Sequence, residues 1–190
     1  MGKKNSSTLT SSTYLSRLAE YQSFIEENSL IELSEIIKRI SSSSGRIFIA
    51  GNGGSCSLAD HFATDLGVGN LDKGNHVNAI SLSSNNAVIT ASANDYNYKE
   101  IFTRQLKVSA TEKDMLIVIS SSGNSENLVC AVEFANSKGM FTVGILGFDG
   151  GQLKSKVKSS VHIPTMIGDY GPTEDIHSTI CHIIASKVRF

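Results

Sequence analysis

The residues best suited to chemistry lie in two stretches far apart in the chain. His61 and Asp65 stand four apart, which at helical period puts them about 40° apart on one face, so that both can converge on one point. Near the carboxyl end come Glu174, Asp175, His177 and His182, with Glu174 and His182 two turns apart in a sector of roughly 80° by the same period. Two imidazoles and two carboxylates suit a divalent, zinc-like ion with an open coordination position, and suit acid/base catalysis without a metal equally well. A lone helix histidine is also an ordinary hydrogen-bonded residue, the reading adopted for His76 and His162 beside predicted strands. Sequence alone does not bring the two stretches together, and they can come from different subunits. Cys56, Cys130 and Cys181 are an odd, scattered set without a C-x-x-C pair, which fits small apolar core residues better than disulfides or structural zinc. Cys56 follows a loop at a predicted helix amino terminus, where a thiolate would be stabilised, but has no evident orienting partner.

Two Ser/Gly-rich loops surround these groups in the sequence. Gly51-Asn52-Gly53-Gly54-Ser55 follows an apolar run and opens a helix; glycines let the backbone turn sharply and bring its N–H groups to an anion, and the helix dipole adds to the attraction. The loop lacks the Lys-Ser/Thr of a Walker A motif and the G-x-G-x-x-G of a dinucleotide fingerprint. Ser120-Ser121-Ser122-Gly123-Asn124-Ser125 has the same position after another run and offers four hydroxyls. Hydroxyls and amides of this kind wrap the phosphate of a sugar phosphate without fixed cations. Either loop alone can be a mere connector; two in equivalent positions point to a ligand.

The elements that must hold these loops follow from apolar patterning. Five β-branched or apolar runs without polar alternation, 46–50, 77–82, 115–120, 141–146 and 161–164, read as strands buried on both faces. Helical stretches at 57–66, 86–93, 100–106, 125–137 and 173–188 separate most of them. Crossovers this long imply an α/β fold with a doubly wound, five-stranded parallel sheet, its ligands beyond the carboxyl ends of the strands. Ahead of the sheet, residues 14–41 carry helical periodicity and read as two amphipathic helices joined near 27–29, after a polar, flexible tail over 1–12. Residues 13–190 are expected to form a single domain.

Net charge is −1, from 17 Lys and Arg against 18 Asp and Glu, which gives no reason to expect nucleic acid as a partner. No stretch reads as a secretory signal or a membrane span, and a cytoplasmic location is expected.

Taken in order, Gly51-Asn52-Gly53-Gly54-Ser55, His61-Phe62-Ala63, Asn94-Asp95-Tyr96, Ser120 to Ser125, and Glu174-Asp175-Ile176-His177 with His182 resemble the sugar isomerase (SIS) domains of the sedoheptulose-7-phosphate isomerase, or phosphoheptose isomerase, type. The resemblance covers nearly the whole chain and implies a flavodoxin-like SIS fold. It also implies a cytoplasmic homotetramer with its N-terminal helices packed between subunits and its active sites at the interfaces. The implied reaction converts sedoheptulose 7-phosphate to D-glycero-D-manno-heptose 7-phosphate for activated-heptose synthesis. Residues matching the family's phosphate site are Ser55, Ser120, Ser121, Ser122 and Ser125. Asn52, Gly53, Gly54, Asn94 and Asp95 match the sugar site, with Asp65 and Glu174 also touching substrate. Zn2+, one per subunit, is implied at His61, Asp65, Glu174 and His182, and proton transfer at Asp65, Glu174 and His182. The chain departs from the commonest pattern by having Asp65 for Glu and Glu174 for Gln. The first change shortens a carboxylate and the second adds a negative charge that favours a divalent metal. Two rival readings are a non-catalytic SIS module that senses phosphosugars or binds a protein, as replication-initiator-associating relatives do, and an isomerase of another phosphosugar.

Overall fold

A computed structural model describes residues 10–73 and 77–189 of the chain. Residues 1–9, most of the expected tail, and His76 lie outside the described residues. The first helix, α1 (Ser11–Gln22), starts earlier than the tail reading allowed, because the Thr10 and Thr13 side chains cap each other's backbone N–H groups, closing donors that a helix start otherwise leaves open. α2 (Glu27–Ser42) buries Leu30, Leu33, Ile36 and Ile37 on one face. The join between these helices spans 23–26 instead of 27–29. Ser23 ends α1 by giving both its N–H and its hydroxyl to the Glu20 carbonyl.

The remaining chain forms one parallel sheet with strand order β2-β1-β3-β4-β5, from β1 (Ile47–Gly51), β2 (Ala79–Ser81), β3 (Met115–Ser120), β4 (Phe141–Leu146) and β5 (Ser159–His162). All five sit within a residue or two of the predicted runs. β2 is the shortest, since Val77 gives its N–H to Leu66 in the preceding helix and leaves the ladder. β1 and β3, the neighbours at which strand order reverses, are buried throughout.

Helices cover both faces. α3 (Gly54–Leu66) and α8 (Tyr170–Arg189) pack with α2 and Tyr21 of α1 on one core cluster, which includes Ile47, Ile49, Ile117 and Ile119. α5 (Ile101–Ser109), α6 (Glu126–Ser137) and Leu153 of the short α7 (Gly151–Lys156) pack on the other, with Phe48, Leu116 and Val118. The alternation of partners along each strand is the period-2 geometry of a strand clad on both sides. α4 (Asn86–Asp95) and two short 3-10 turns, Val68–Lys73 and Tyr98–Glu100, complete the order. α7 and both 3-10 turns carry no sequence periodicity long enough to announce them. Among the described residues no helix is long and apolar enough to cross a membrane.

Candidate active site

Because β1 feeds α3 on one face and β3 feeds α6 on the other, the loops after these neighbouring strands part and leave a crevice at the switch point, where open α/β sheets bind ligands. Both Ser/Gly loops lie there. In the first, Ser55 is buried in the opening turn of α3. Gly54 is held without a side chain for a specific reason: a Cβ there would collide with the Glu174 carboxylate, which rests against the amino end of α3.

The second loop is closed by its own serines. The Ser120 hydroxyl accepts the Gly123 N–H at 3.0 Å, and the Ser122 hydroxyl accepts from Asn124 at 3.3 Å. Gly123 has φ +64° and lies against the Gly150 carbonyl, so a Cβ there would be both strained and blocked. Ser121 is different. Its hydroxyl is buried and makes no hydrogen bond within the protein, and an orphaned buried hydroxyl marks a place for a ligand oxygen. Ser125, at the N-cap of α6, leaves its hydroxyl out of the cap.

The two loops are tied together by residues the sequence did not single out. The Asn52 and Asn127 amides exchange hydrogen bonds in both directions, each 2.9 Å, and the Tyr98 hydroxyl donates to the Asn52 oxygen at 3.0 Å. Asn127 is buried in the first turn of α6. The Asn52 amide is therefore committed to holding the loops. Asn94 and Asp95 lie exposed at the carboxyl end of α4, bonded to each other at 2.9 Å, with Tyr98 bringing the following turn onto the first loop.

Of the four residues expected to share a metal, the structure brings together three. His61, Asp65 and His182 offer ligand atoms that all lie within 4.8 Å of one another. The two Nε2 atoms are 2.9 Å apart, and Asp65 Oδ2 is 3.3 Å from His61 Nε2 and 3.7 Å from His182 Nε2. Tetrahedral zinc with nitrogen and oxygen ligands near 2.0–2.1 Å needs ligand atoms about 3.3 Å apart. Both the spacing and the two-imidazole, one-carboxylate donor set therefore fit a divalent ion with a free position. Glu174 stands outside this group, over Gly54, separated from His182 by about 12 Å of helix axis. α3 and α8 thus run side by side in step, touching at Gly54 and Glu174 near their starts and at His61 and His182 two turns on. Burial, with the charge of Asp65 second, pushes the Cys181 thiol well up, so it stays protonated beside the cluster. His177 is fully buried, neither ring nitrogen has a hydrogen-bond partner, and burial pushes its pKa down to about 4. It is neutral core, not part of the cluster.

This architecture agrees with known proteins. Residues 11–147 match the profile of the SIS domain family, and the chain belongs to that family. The chain is 42% identical over 149 residues to the phosphoheptose isomerase of Leptospira biflexa serovar Patoc, and 40% over 146 residues to that of Helicobacter pylori, in both cases over 76% of this chain and 74% of the relative. Within the SIS proteins it is therefore a member of the phosphoheptose isomerase group. Its fold superposes on phosphoheptose isomerase GmhA from Neisseria gonorrhoeae with a TM-score of 0.82 at 25% identity, over 93% of each chain. The corresponding structure from Francisella tularensis gives 0.81 at 26%. The family match includes both loops, His61 and Asp65, and stops before Glu174 and His182.

Proposed function

We propose that this protein is an aldose–ketose isomerase that converts sedoheptulose 7-phosphate to D-glycero-D-manno-heptose 7-phosphate. One observation carries the reading: α3 opens in the phosphate loop and carries His61 about 10 Å and Asp65 about 16 Å further along its axis, their ligand atoms converging within the reach of a long phosphosugar anchored by its phosphate. The names of the relatives supply the substrate.

In this reading Ser55, Ser120, Ser121, Ser122 and Ser125, with the amino ends of α3 and α6, hold the phosphate. Asp65 takes the proton from C1 of the open-chain ketose and returns it at C2, while Glu174, against Gly54 near the phosphate end, is the other carboxylate that touches the substrate. His182 moves the hydroxyl proton between the two oxygens, and Asp65, 3.7 Å from it, orients the imidazole. Zn2+ held by His61, Asp65 and His182 would supply positive charge for the developing oxyanion in place of the imidazole proton. Asn94, Asp95 and the backbone of Asn52, Gly53 and Gly54 line the sugar.

The same reading takes residues 13–190 as one domain in a cytoplasmic homotetramer that feeds activated-heptose synthesis. Leu15, Met166, Ile167 and Tyr170 are exposed on and near α1 and the start of α8, apolar surface that subunit packing would cover. The test is to incubate purified protein with sedoheptulose 7-phosphate, with and without chelator, and to follow aldose formation. No turnover in either condition, with phosphosugar binding intact, sinks the enzyme and leaves a sensor.

A further inference from the structure

We infer that Thr173 is a positioning residue that sets the shape of the second phosphate loop from behind, although it belongs to α8 and to neither loop. The inference rests on reading Ser120 to Ser125 as the phosphate site. Thr173 is completely buried one residue before Glu174. Its hydroxyl is 2.7 Å from the Asp169 carbonyl and 2.8 Å from the Thr165 hydroxyl, which in turn is 3.0 Å from the Phe148 backbone N–H. The Thr165 hydroxyl is the meeting point, accepting from the turn on one side and from Thr173 on the other. The Phe148 N–H donates to the Thr165 hydroxyl, and the Thr173 hydroxyl shares its one proton between the Thr165 hydroxyl and the Asp169 carbonyl.

The relay braces a turn that the Gly150 N–H already closes on the Gly147 carbonyl at 2.8 Å. Phe148 has φ +45°, a strained value for a residue with a side chain. Its carbonyl faces His162 Nε2 at 3.1 Å, and its ring packs edge-on to Tyr170. That turn is the back wall of the second phosphate loop. Gly147 gives its N–H to the Ser120 carbonyl at 3.1 Å. The Gly150 carbonyl abuts Gly123. Leu153 and Gln152 donate to the Gly123 carbonyl and the Asn124 side chain, both at 3.0 Å. The Thr173 methyl completes the wall by filling the space beside the Gly147 Cα. Thr173 therefore acts twice, through its hydroxyl on Phe148 and through its methyl on Gly147.

The test separates these actions and does not depend on turnover. Thr173→Val keeps the methyl and removes the hydroxyl that holds Thr165 in place, while the Asp169 carbonyl keeps the backbone N–H of residue 173. The dissociation constant for inorganic phosphate should rise at least fivefold. With sugar phosphate, KM should rise by a similar factor while kcat stays within twofold. Thr173→Ser, which retains the relay, should restore affinity to within a few-fold of wild type. Thr165→Val, which breaks the relay one step nearer the loop, should weaken phosphate binding alike and serves if Thr173→Val does not fold. A residue with only a structural role would lower the melting temperature and leave phosphate affinity of the folded protein unchanged, and that result in either valine variant overturns the inference. Wild type that binds phosphate but turns nothing over sinks the isomerase and leaves the brace standing. Wild type that binds no phosphate sinks both.

Discussion

Glu174 and His182 leave the same face of one helix, but they meet different neighbours, and separate substitutions should have separate signatures. Glu174→Gln keeps the shape over Gly54 and removes a negative charge from the phosphate end of the crevice. It should lower KM for the sugar phosphate by roughly two- to fivefold, the scale of one partly screened charge pair, with kcat little changed; steady-state kinetics giving a kcat down by roughly 10²-fold or more would instead put Glu174 at the reacting carbons. His182→Ala should abolish isomerisation and also lower zinc content after dialysis against trace metal, read by atomic emission, because it takes one of the imidazoles 2.9 Å apart. Undiminished turnover in that variant defeats the assigned role. The pair His61 and Asp65 was legible from spacing alone, since four residues make one helical turn. Asn127 was not: it sits in a mostly apolar helix where a single amide has no period to betray it. Its role depends on Asn52, which lies on another strand's loop. Tyr98 was hidden for the same reason. Contacts made across the sheet's switch point leave no local pattern.

At the scale of elements, the strands were readable because a run buried on both faces has no other common explanation, and the helices between them because their crossovers were long. The short α7, by contrast, is one turn and a half shaped by neighbours. The amino ends of β1 and β3 are fixed by Arg46 and Asp114. The guanidinium is 2.7 Å from Asp114 Oδ2, and the Arg46 and Thr111 N–H groups also donate to the carboxylate. Burial alone would raise the Asp114 pKa, but these partners outweigh it and hold it below the usual range. Asp114→Asn should therefore destabilise by roughly 3 kcal/mol, the lower end for breaking a buried pair because Arg46 remains partly in water; urea unfolding at pH 7 measures it, and a change under 1 kcal/mol would show the pair to be dispensable. His177 gives α8 a pH dependence of known sign. Burial lowers it from 6.5 to about 4, the charge of His162 adds to this, and the nearby Leu146 backbone opposes it without closing a hydrogen bond. A base depressed in the fold takes its proton first when unfolded. Its contribution is complete above pH 6.5 and is lost as pH falls towards 4, on the order of 3 kcal/mol in all. Melting curves of wild type and His177→Leu between pH 7 and 4.5 should show the shallower fall in the variant. Parallel curves would mean that His177 does not titrate there.

For the whole molecule, α1 is joined to the start of α8 by side chains, with Tyr14 donating to Asp175 at 2.6 Å, and Arg17 and Tyr21 both reaching Asp169. The hydrogen bond to Asp175, then burial, then the nearby carboxylates raise the Tyr14 pKa from 10.0 to about 12. A group raised in the fold stabilises at pH below its unfolded value and loses that as pH climbs through the folded one. The melting-temperature gap between wild type and Tyr14→Phe should thus be constant up to pH 10 and close by about pH 12. A gap that persists at pH 12 would assign it to packing. Thr173, Glu174 and Asp175 are consecutive, and each turns towards a different part of the protein: the back wall of the second loop, the start of α3, and α1. Successive helix residues differ in direction by about 100°. One residue inserted between Tyr170 and Thr173 would swing all three away from their partners at once, and one deleted would do the same in the opposite sense. The opening turn of α8 is therefore fixed in length by three separate parts of the protein at once.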